Sequence, residues 1–283
     1  MRNALSIDVE DYFQVSAFAG HIDRADWDRL PCRVERNVDR ILCLLDRHDT
    51  HATFFTLGWI AERYPALVRR IVAGGHELAS HGYAHLRASE QTPAQFADDI
   101  VRSKHLLEQL CGVAVLGYRA PSFSIMEGNL WALDSLRDAG YRYSSSIYPI
   151  RHDHYGMPDA PRFAYRVKPE LLEVPITTLR VFNRNLPSSG GGYFRLLPYP
   201  VSRWMIKRVH AIDQQAAIFY CHPWEFDVGQ PRIAGIDAKT RFRHYVNIDR
   251  MEDRLGGLLA DFKWGRMDDI FLKAGTVTGR ALN

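Results

Sequence analysis

Cysteine is scarce in this 283-residue chain. Cys32, Cys43, Cys111 and Cys221 are the whole complement, and none forms a Cys-x-x-Cys pair. That argues against a disulfide framework or a thiolate zinc site and for free thiols in a reducing compartment. No apolar run approaches the ~20 residues needed to cross a bilayer, so no transmembrane segment is expected. Charge of one sign is not in large excess. A net +3 is too small, taken over the chain, to point to nucleic acid or an anionic membrane. The glycine cluster Ser188-Ser189-Gly190-Gly191-Gly192 lacks the Gly-Lys-Ser/Thr ending of a phosphate loop, so it reads as a plain loop. Internal repeats and low-complexity linkers are missing too, and one domain over 1–283 is expected. Chemistry-bearing residues begin at Asp8 with no signal-type leader before them, which reads as a cytoplasmic protein. Oligomeric state leaves no trace.

What is present is alternation. Strand-like runs at Ala4–Ile7, Ala52–Leu57, Gly75–Ala79, Val113–Tyr118, Tyr141–Ser144, Leu171–Val174 and Ala216–Tyr220 are separated by helical patterns. Val34, Val38, Ile41, Leu42 and Leu45 recur at helical spacing over about 33–47. Ile60–Ala73 is closed by Gly74-Gly75. Thr92-Pro93 opens a helix as cap and first residue. Further helices are expected over 129–139, 201–211 and 251–262, with a short one near 269–273. The Pro-containing stretch 150–170 reads as loop. Strand–helix alternation of this kind predicts parallel β/α units, in which the C-terminal ends of the strands share one face.

Four of these runs end in reactive groups. The first ends in Asp8-Val9-Glu10-Asp11, the third in Ser80-His81-Gly82-Tyr83-Ala84-His85, the fourth in Arg119, and the last in Cys221-His222-Pro223-Trp224-Glu225. Histidines four apart lean to the same side if the chain makes a helical turn there. Two imidazoles and a carboxylate are three protein ligands for a divalent cation, with a position left open, as in catalytic zinc sites. A further carboxylate supplies a base and a separate histidine an acid. The inventory suits hydrolysis of an amide or ester. His152-Asp153-His154 mimics a metal site in sequence but has no strand behind it. Trp224, Tyr193 and Phe194 read first as packing residues.

At these positions the chain resembles the NodB-type polysaccharide deacetylases, carbohydrate esterase family four. The family's Thr-Phe-Asp-Asp-Gly motif is matched loosely by Ser6-Ile7-Asp8-Val9-Glu10-Asp11, and its His-Ser/Thr-x-x-His by His81-Gly82-Tyr83-Ala84-His85. Its Arg-x-Pro-Tyr/Phe is approximated by Arg119-Ala120-Pro121-Ser122-Phe123, and its Leu-x-Leu-His by Ile218–His222. The stretch from Pro223-Trp224-Glu225 onward looks like the variant found with exopolysaccharide and exosortase loci. The resemblance implies a distorted (β/α) barrel of about seven strands, with a motif-bearing part at about 4–225 and an extension at about 226–283. It implies Asp8 as general base, Arg119 as its partner and His222 as the acid. His81, His85 and an acid would hold the metal, with Glu10 preferred and Asp11 the runner-up because Val9 replaces the usual second Asp. Zinc is the expected ion, with cobalt or nickel acceptable to the same ligands. Glu173 is read as tuning His222, with Glu225 and Asp227 as competitors, and Pro121, Tyr193 and Trp224 as residues lining a sugar site. The implied reaction is N-deacetylation of an N-acetylhexosamine unit in a bacterial exopolysaccharide or its precursor. Two alternatives remain: a related barrel amidohydrolase acting on a small non-sugar amide, and a catalytically silent glycan-binding module.

Overall fold

The computed structural model describes residues 1–152 and 155–273. Asp153 and His154 of the His152-Asp153-His154 motif therefore lie outside the described residues. The strands are β1 (Arg2–Val9), β2 (Thr53–Thr56), β3 (Glu77–Ser80), β4 (Gly117–Tyr118), β5 (Tyr143–Ser144), β6 (Tyr165–Lys168), β7 (Leu171–Glu173), β8 (Thr178–Val181), β9 (Arg184–Pro187), β10 (Ile218–Cys221) and β11 (Lys263–Gly265). The helices are α1 (Val34–Arg47), α2 (Gly58–Arg63), α3 (Pro65–Ala73), α4 (Pro93–Cys111), α5 (Trp131–Asp138), α6 (Gly191–Leu196), α7 (Tyr199–Arg208), α8 (Ala238–Tyr245) and α9 (Met251–Asp261).

Seven parallel strands run side by side in the order β10-β1-β2-β3-β4-β5-β7, and β6 closes that edge antiparallel to β7. These are the parallel strands expected from the alternation, in the curled, distorted barrel sheet that the resemblance implies. β8 and β9 form a separate hairpin. The segment after 225 is not an appendage, because β11 returns to pair with the N-terminal half of β1, Arg2 to Ala4 against Lys263 to Gly265. The single helix expected over Ile60–Ala73 is two, α2 and α3, divided at Tyr64-Pro65. Proline lacks the N–H that a continuous helix needs and disfavours helical backbone in the residue before it. Part of 150–170, read as loop, forms β6.

Both faces of the sheet are buried, as parallel sheets require, and side chains alternate between them. Leu5, Ile7 and Val9 of β1 point outward into a core shared with Val38, Ile41 and Leu45 of α1 and Leu255 and Leu258 of α9. Ala4 points the other way, into an interior core with Phe55, Ala79, Tyr143, Leu172 and Tyr220. This interior is tight. Gly117 of β4 faces Tyr143 of β5 in register, and a Cβ built on it would lie 2.2 Å from the tyrosine hydroxyl. That hydroxyl donates to Glu77 Oε1 at 2.8 Å. Gly117→Ala is therefore expected to cost about 1–3 kcal/mol by overpacking, read as a lowered urea midpoint. An unchanged midpoint would contradict this packing.

Candidate metal and acid–base site

Strand parity carries the reactive groups to one place. From the inward-facing Ala4, every second residue gives Ser6, Asp8 and, just past the strand, Glu10. Phe55 and Ala79 face inward beside them, and two residues beyond Ala79 is His81. Tyr220 faces inward on β10, and two residues on is His222. Asp8, Glu10, His81 and His85 are buried.

The Glu10 carboxylate lies among three imidazoles. Its Oε2 is 2.6 Å from His85 Nε2 and 3.9 Å from His81 Nε2, and its Oε1 is 3.9 Å from His222 Nε2. Trp224 Nε1 donates to Oε1 at 3.0 Å. The donor atoms of Glu10, His81 and His85 all lie within 4.8 Å of one another. His81 Nδ1 is 2.8 Å from the Arg119 carbonyl. A carbonyl only accepts, so Nδ1 carries the proton and Nε2 presents its lone pair to the pocket, the orientation a metal ligand needs. Burial pushes the His81 imidazole down to about 4, which keeps it neutral as ligation demands. Burial alone would raise the Glu10 carboxyl, but His85, His222 and His81 together hold it well below the usual carboxylate range. Two imidazoles and an ionised carboxylate, buried and convergent, fit a divalent cation such as zinc.

The two histidines do not meet through a helical turn. Residues 81–85 are irregular, with Gly82 at φ +75° and His85 at φ +53°. A Cβ at position 82 would lie 2.8 Å from Asp99 Oδ2, and that same oxygen accepts from Tyr83 N–H at 2.8 Å. Arg24 then donates to the carbonyls of Ala84 and His85, both at 3.2 Å.

Asp8 lies beside the three-ligand group. Arg119, fully buried, donates from Nη1 to Asp8 Oδ1 at 2.5 Å and to Ser6 Oγ at 2.9 Å. Its Nε and Nη2 are taken by the carbonyl and hydroxyl of Ser145. Asp8 Oδ2 is 3.9 Å from His222 Nε2. On the far side of His222, Nδ1 is 3.1 Å from Glu225 Oε2, which also accepts from the His222 N–H. Glu225 in turn receives Arg195 Nε at 2.7 Å. Burial would lower His222, yet Glu10, Glu225 and Asp8 outweigh it and raise the imidazole to about 9. Burial would raise Glu225, and Arg195 with His222 hold it at about 2.

Three expectations need correction or refinement. Asp11 is turned away from the histidines. It caps the following turn and accepts from the backbone N–H groups of Tyr12, Arg33 and Val34, fastening the start of α1. Glu173 does not reach His222. Leu172 faces the interior, so Glu173, one residue on, faces the opposite side, where Oε1 accepts from the N–H groups of Ser146 and Ile147 at 2.8 Å. The residue at His222 is Glu225, while Asp227 pairs with Arg33 and Arg36. Trp224 is buried and does not line an open surface. It stacks on His222 with ring centroids 5.1 Å apart and on His244 at 4.2 Å. Pro121 is buried at the start of the turn after Arg119, and Tyr193 is half-buried in α6. Arg195 and His244 were not legible as site residues, since no spacing ties them to position 222. Beside His85 a cavity of about 520 Å³ opens, lined by Phe13, Gln14, Asp23, Trp27 and Arg87 among others.

Residues 26–144 match the family model described as polysaccharide deacetylase, and residues 145–272 match a domain of unknown function (DUF3473). His81, His85 and Arg119 fall in the first, and His222 and Glu225 in the second. The peptidoglycan-N-acetylglucosamine deacetylase of Bacillus cereus is 34% identical over 96 residues, 34% of this chain and 35% of that protein. The peptidoglycan deacetylase of Helicobacter pylori is 32% identical over 115 residues, 40% of this chain and 38% of that one. The chitooligosaccharide deacetylase of a Bradyrhizobium species is 35% identical over 82 residues, 29% of this chain and 37% of that one. The matched segment thus spans little more than a third of these relatives. Among solved structures, a Mycobacterium smegmatis protein assigned to the polysaccharide deacetylases superposes with a TM-score of 0.63 at 20% identity, over 99% of this chain and 92% of the other. That likeness is one of fold.

The geometry separates Glu10 from Asp11 experimentally. Asp11→Ala is expected to lower stability by about 2–3 kcal/mol through the lost cap and orphaned N–H groups while leaving zinc content, measured by atomic emission, unchanged. Glu10→Ala is expected to lose the zinc. Loss of zinc in Asp11→Ala at retained fold would overturn the ligand set.

Proposed function

We propose that this chain, which carries a polysaccharide deacetylase domain of the NodB type, carbohydrate esterase family four, hydrolyses the N-acetyl group of N-acetylhexosamine units in a bacterial exopolysaccharide or its precursor. The supporting observation is the meeting, in one buried pocket, of a three-ligand group with a separate carboxylate and a separate imidazole, each held by its own partner. The names of the relatives, which specify N-acetylglucosamine and chitooligosaccharide, support the substrate class. The pairing of β11 with β1 supports reading the chain as one working unit.

Glu10, His81 and His85 would hold a divalent cation, zinc in the first instance. Such an ion, when bound, polarises a carbonyl and acidifies water. Asp8 takes the proton of the attacking water. Arg119 holds its carboxylate aimed, since Oδ1 is occupied and Oδ2 faces the pocket. His222 is fixed through Nδ1 by Glu225, so its Nε2 proton is the one available to the departing nitrogen. Acetate and a free amino sugar leave. Tyr193 and the walls of the cavity beside His85 are the surfaces offered to the sugar.

Acetate release from short N-acetylglucosamine oligomers tests this reading. Activity is expected to disappear with chelator and return with zinc or cobalt. Asp8→Asn should keep the metal and lose turnover by about 10²–10⁴-fold, whereas His81→Ala should lose both. Wild-type turnover in Asp8→Asn would remove the base assignment, and oligomer binding without acetate release in the native chain would favour a silent glycan-binding module. Glu225→Gln withdraws a negative charge from His222, so its proton is lost at lower pH. The alkaline limb of the kcat profile is expected to move down with metal content unchanged. An unmoved limb would mean that Glu225 does not act through His222.

A further inference from the structure

The chain-wide charge of +3 conceals a local asymmetry. From Val174 to Ile212 the sequence contains no aspartate or glutamate, yet it carries Arg180, Arg184, Arg195, Arg203, Lys207 and Arg208. Arg195 is buried at the Glu225 pair and Arg203 is paired with Asp261. Arg180, Arg184, Lys207 and Arg208 are exposed, and among the described residues no acid forms an ion pair with them. The nearest following acid in sequence, Asp213, is held by Arg162.

The same region concentrates exposed apolar side chains. Six of the ten large exposed hydrophobic residues described lie here: Phe182 at 97% exposure, Leu186 at 41%, Leu196 at 46%, Val201 at 38%, Trp204 at 52% and Ile212 at 55%. Single exposed apolar residues are ordinary, but a concentration with a basic surround marks an interaction surface. The hairpin and α7 form one region, because Leu179 of β8 is buried against Met205 and Val209 with Val181 packed on them. On α7 the buried residues are Ser202, Met205 and Ile206, which leaves Val201, Trp204 and Arg208 along the exposed side.

The hairpin tip carries the second observation. Phe182 and Asn183 join β8 to β9 with φ of +45° and +62°. Two-residue hairpin turns with both φ positive favour Asn and Gly. Asn183 satisfies that preference, and a bulky aromatic at φ > 0 does not. Phe182 thus holds a conformation that costs backbone energy and gains no packing, since its side chain lies almost wholly in solvent. The turn would be more stable with glycine there.

We propose that the hairpin tip and the exposed side of α7 form a docking surface for an anionic lipid bilayer, with Phe182 and Trp204 entering the headgroup region and Arg180, Arg184, Lys207 and Arg208 meeting lipid phosphates. Aromatic and aliphatic residues ringed by Lys and Arg are the composition that binds at such interfaces. Among the described residues no helix is long and apolar enough to cross a membrane, and the proposed contact is with the headgroup region alone.

Sedimentation with vesicles tests the proposal independently of turnover. The intact chain is expected to bind vesicles of phosphatidylglycerol mixed with phosphatidylcholine, to ignore phosphatidylcholine alone, and to release from the former as salt rises. Phe182→Gly relieves the positive φ and so keeps the fold. Combined with Trp204→Ser, it should weaken partitioning by about tenfold or more. Arg180→Glu with Arg184→Glu should abolish it, and acetate release from soluble oligomers should be unchanged in both double variants. No binding of the intact chain to anionic vesicles, or equal binding by the variants, would overturn the proposal. So would a dimer of the intact chain that Phe182→Gly converts to monomer, because the surface would then be an interface between copies.

Discussion

Two-residue alternation along parallel strands is the constraint from which this molecule's site follows. A central strand buried on both faces must place every residue either among the helices or in the sheet's interior. Once Ala4 is inside, so are Ser6, Asp8 and Glu10, and Ile218 and Tyr220 carry His222 in behind them. His81 arrives by the same count from Ala79. Because the strands are parallel, these residues all appear at the same end. One residue of slippage in any strand would exchange its reactive group for a neighbour meant for the helical layer. The rule also excludes: Glu173 ends a strand among the same segments but has the wrong parity.

Burying this much charge requires local compensation, since an unpaired buried ion is costly and breaking a buried pair costs more than the pair contributes. Asp8 has Arg119, whose remaining donors are satisfied by Ser6 and Ser145. Glu225 has Arg195, whose remaining donors go to the carbonyls of Arg243, His244 and Val246. Among the described residues no guanidinium pairs with Glu10. This carboxylate is left with the imidazoles and the Trp224 N–H. The two flanking acids are fixed by permanent cations, and the middle one depends on groups that can change protonation or accept an ion. That division of labour accounts for why the middle carboxylate reads as the ligand and the outer ones as orienting or acid–base groups.

Much of this was legible in the sequence, because strands that end in acids, histidines or arginine are local features. Asp8, Glu10, His81, His85, Arg119 and His222 could all be named from where apolar runs stop. The path between His81 and His85 was not, since a four-residue spacing suggests a helical turn while Gly82 at positive φ produces an irregular loop with the same outcome. Arg195 was hidden for a different reason, and Glu225 stood only as a competitor of Glu173. Their pairing joins a turn to a helix 30 residues earlier, and no periodicity encodes that contact. The return of β11 to β1, across more than 250 residues, was equally invisible, which is why the last 58 residues read as an extension. Asp11 misled through chemistry: an acid after an apolar strand looks like a ligand, and only the positions of Arg33 and Val34 identify it as a cap.

The central claim is that Glu10, His81 and His85 grip one cation with Asp8 and His222 on either side. Anomalous diffraction at the zinc edge from crystals grown with zinc tests it most directly. The account predicts a peak within coordination distance of Glu10 Oε2, His81 Nε2 and His85 Nε2, with Asp8 bound to Arg119 and His222 bound to Glu225 facing it. A peak ligated by Asp11, or one remote from this pocket with the His81–His85 loop turned outward, would contradict it.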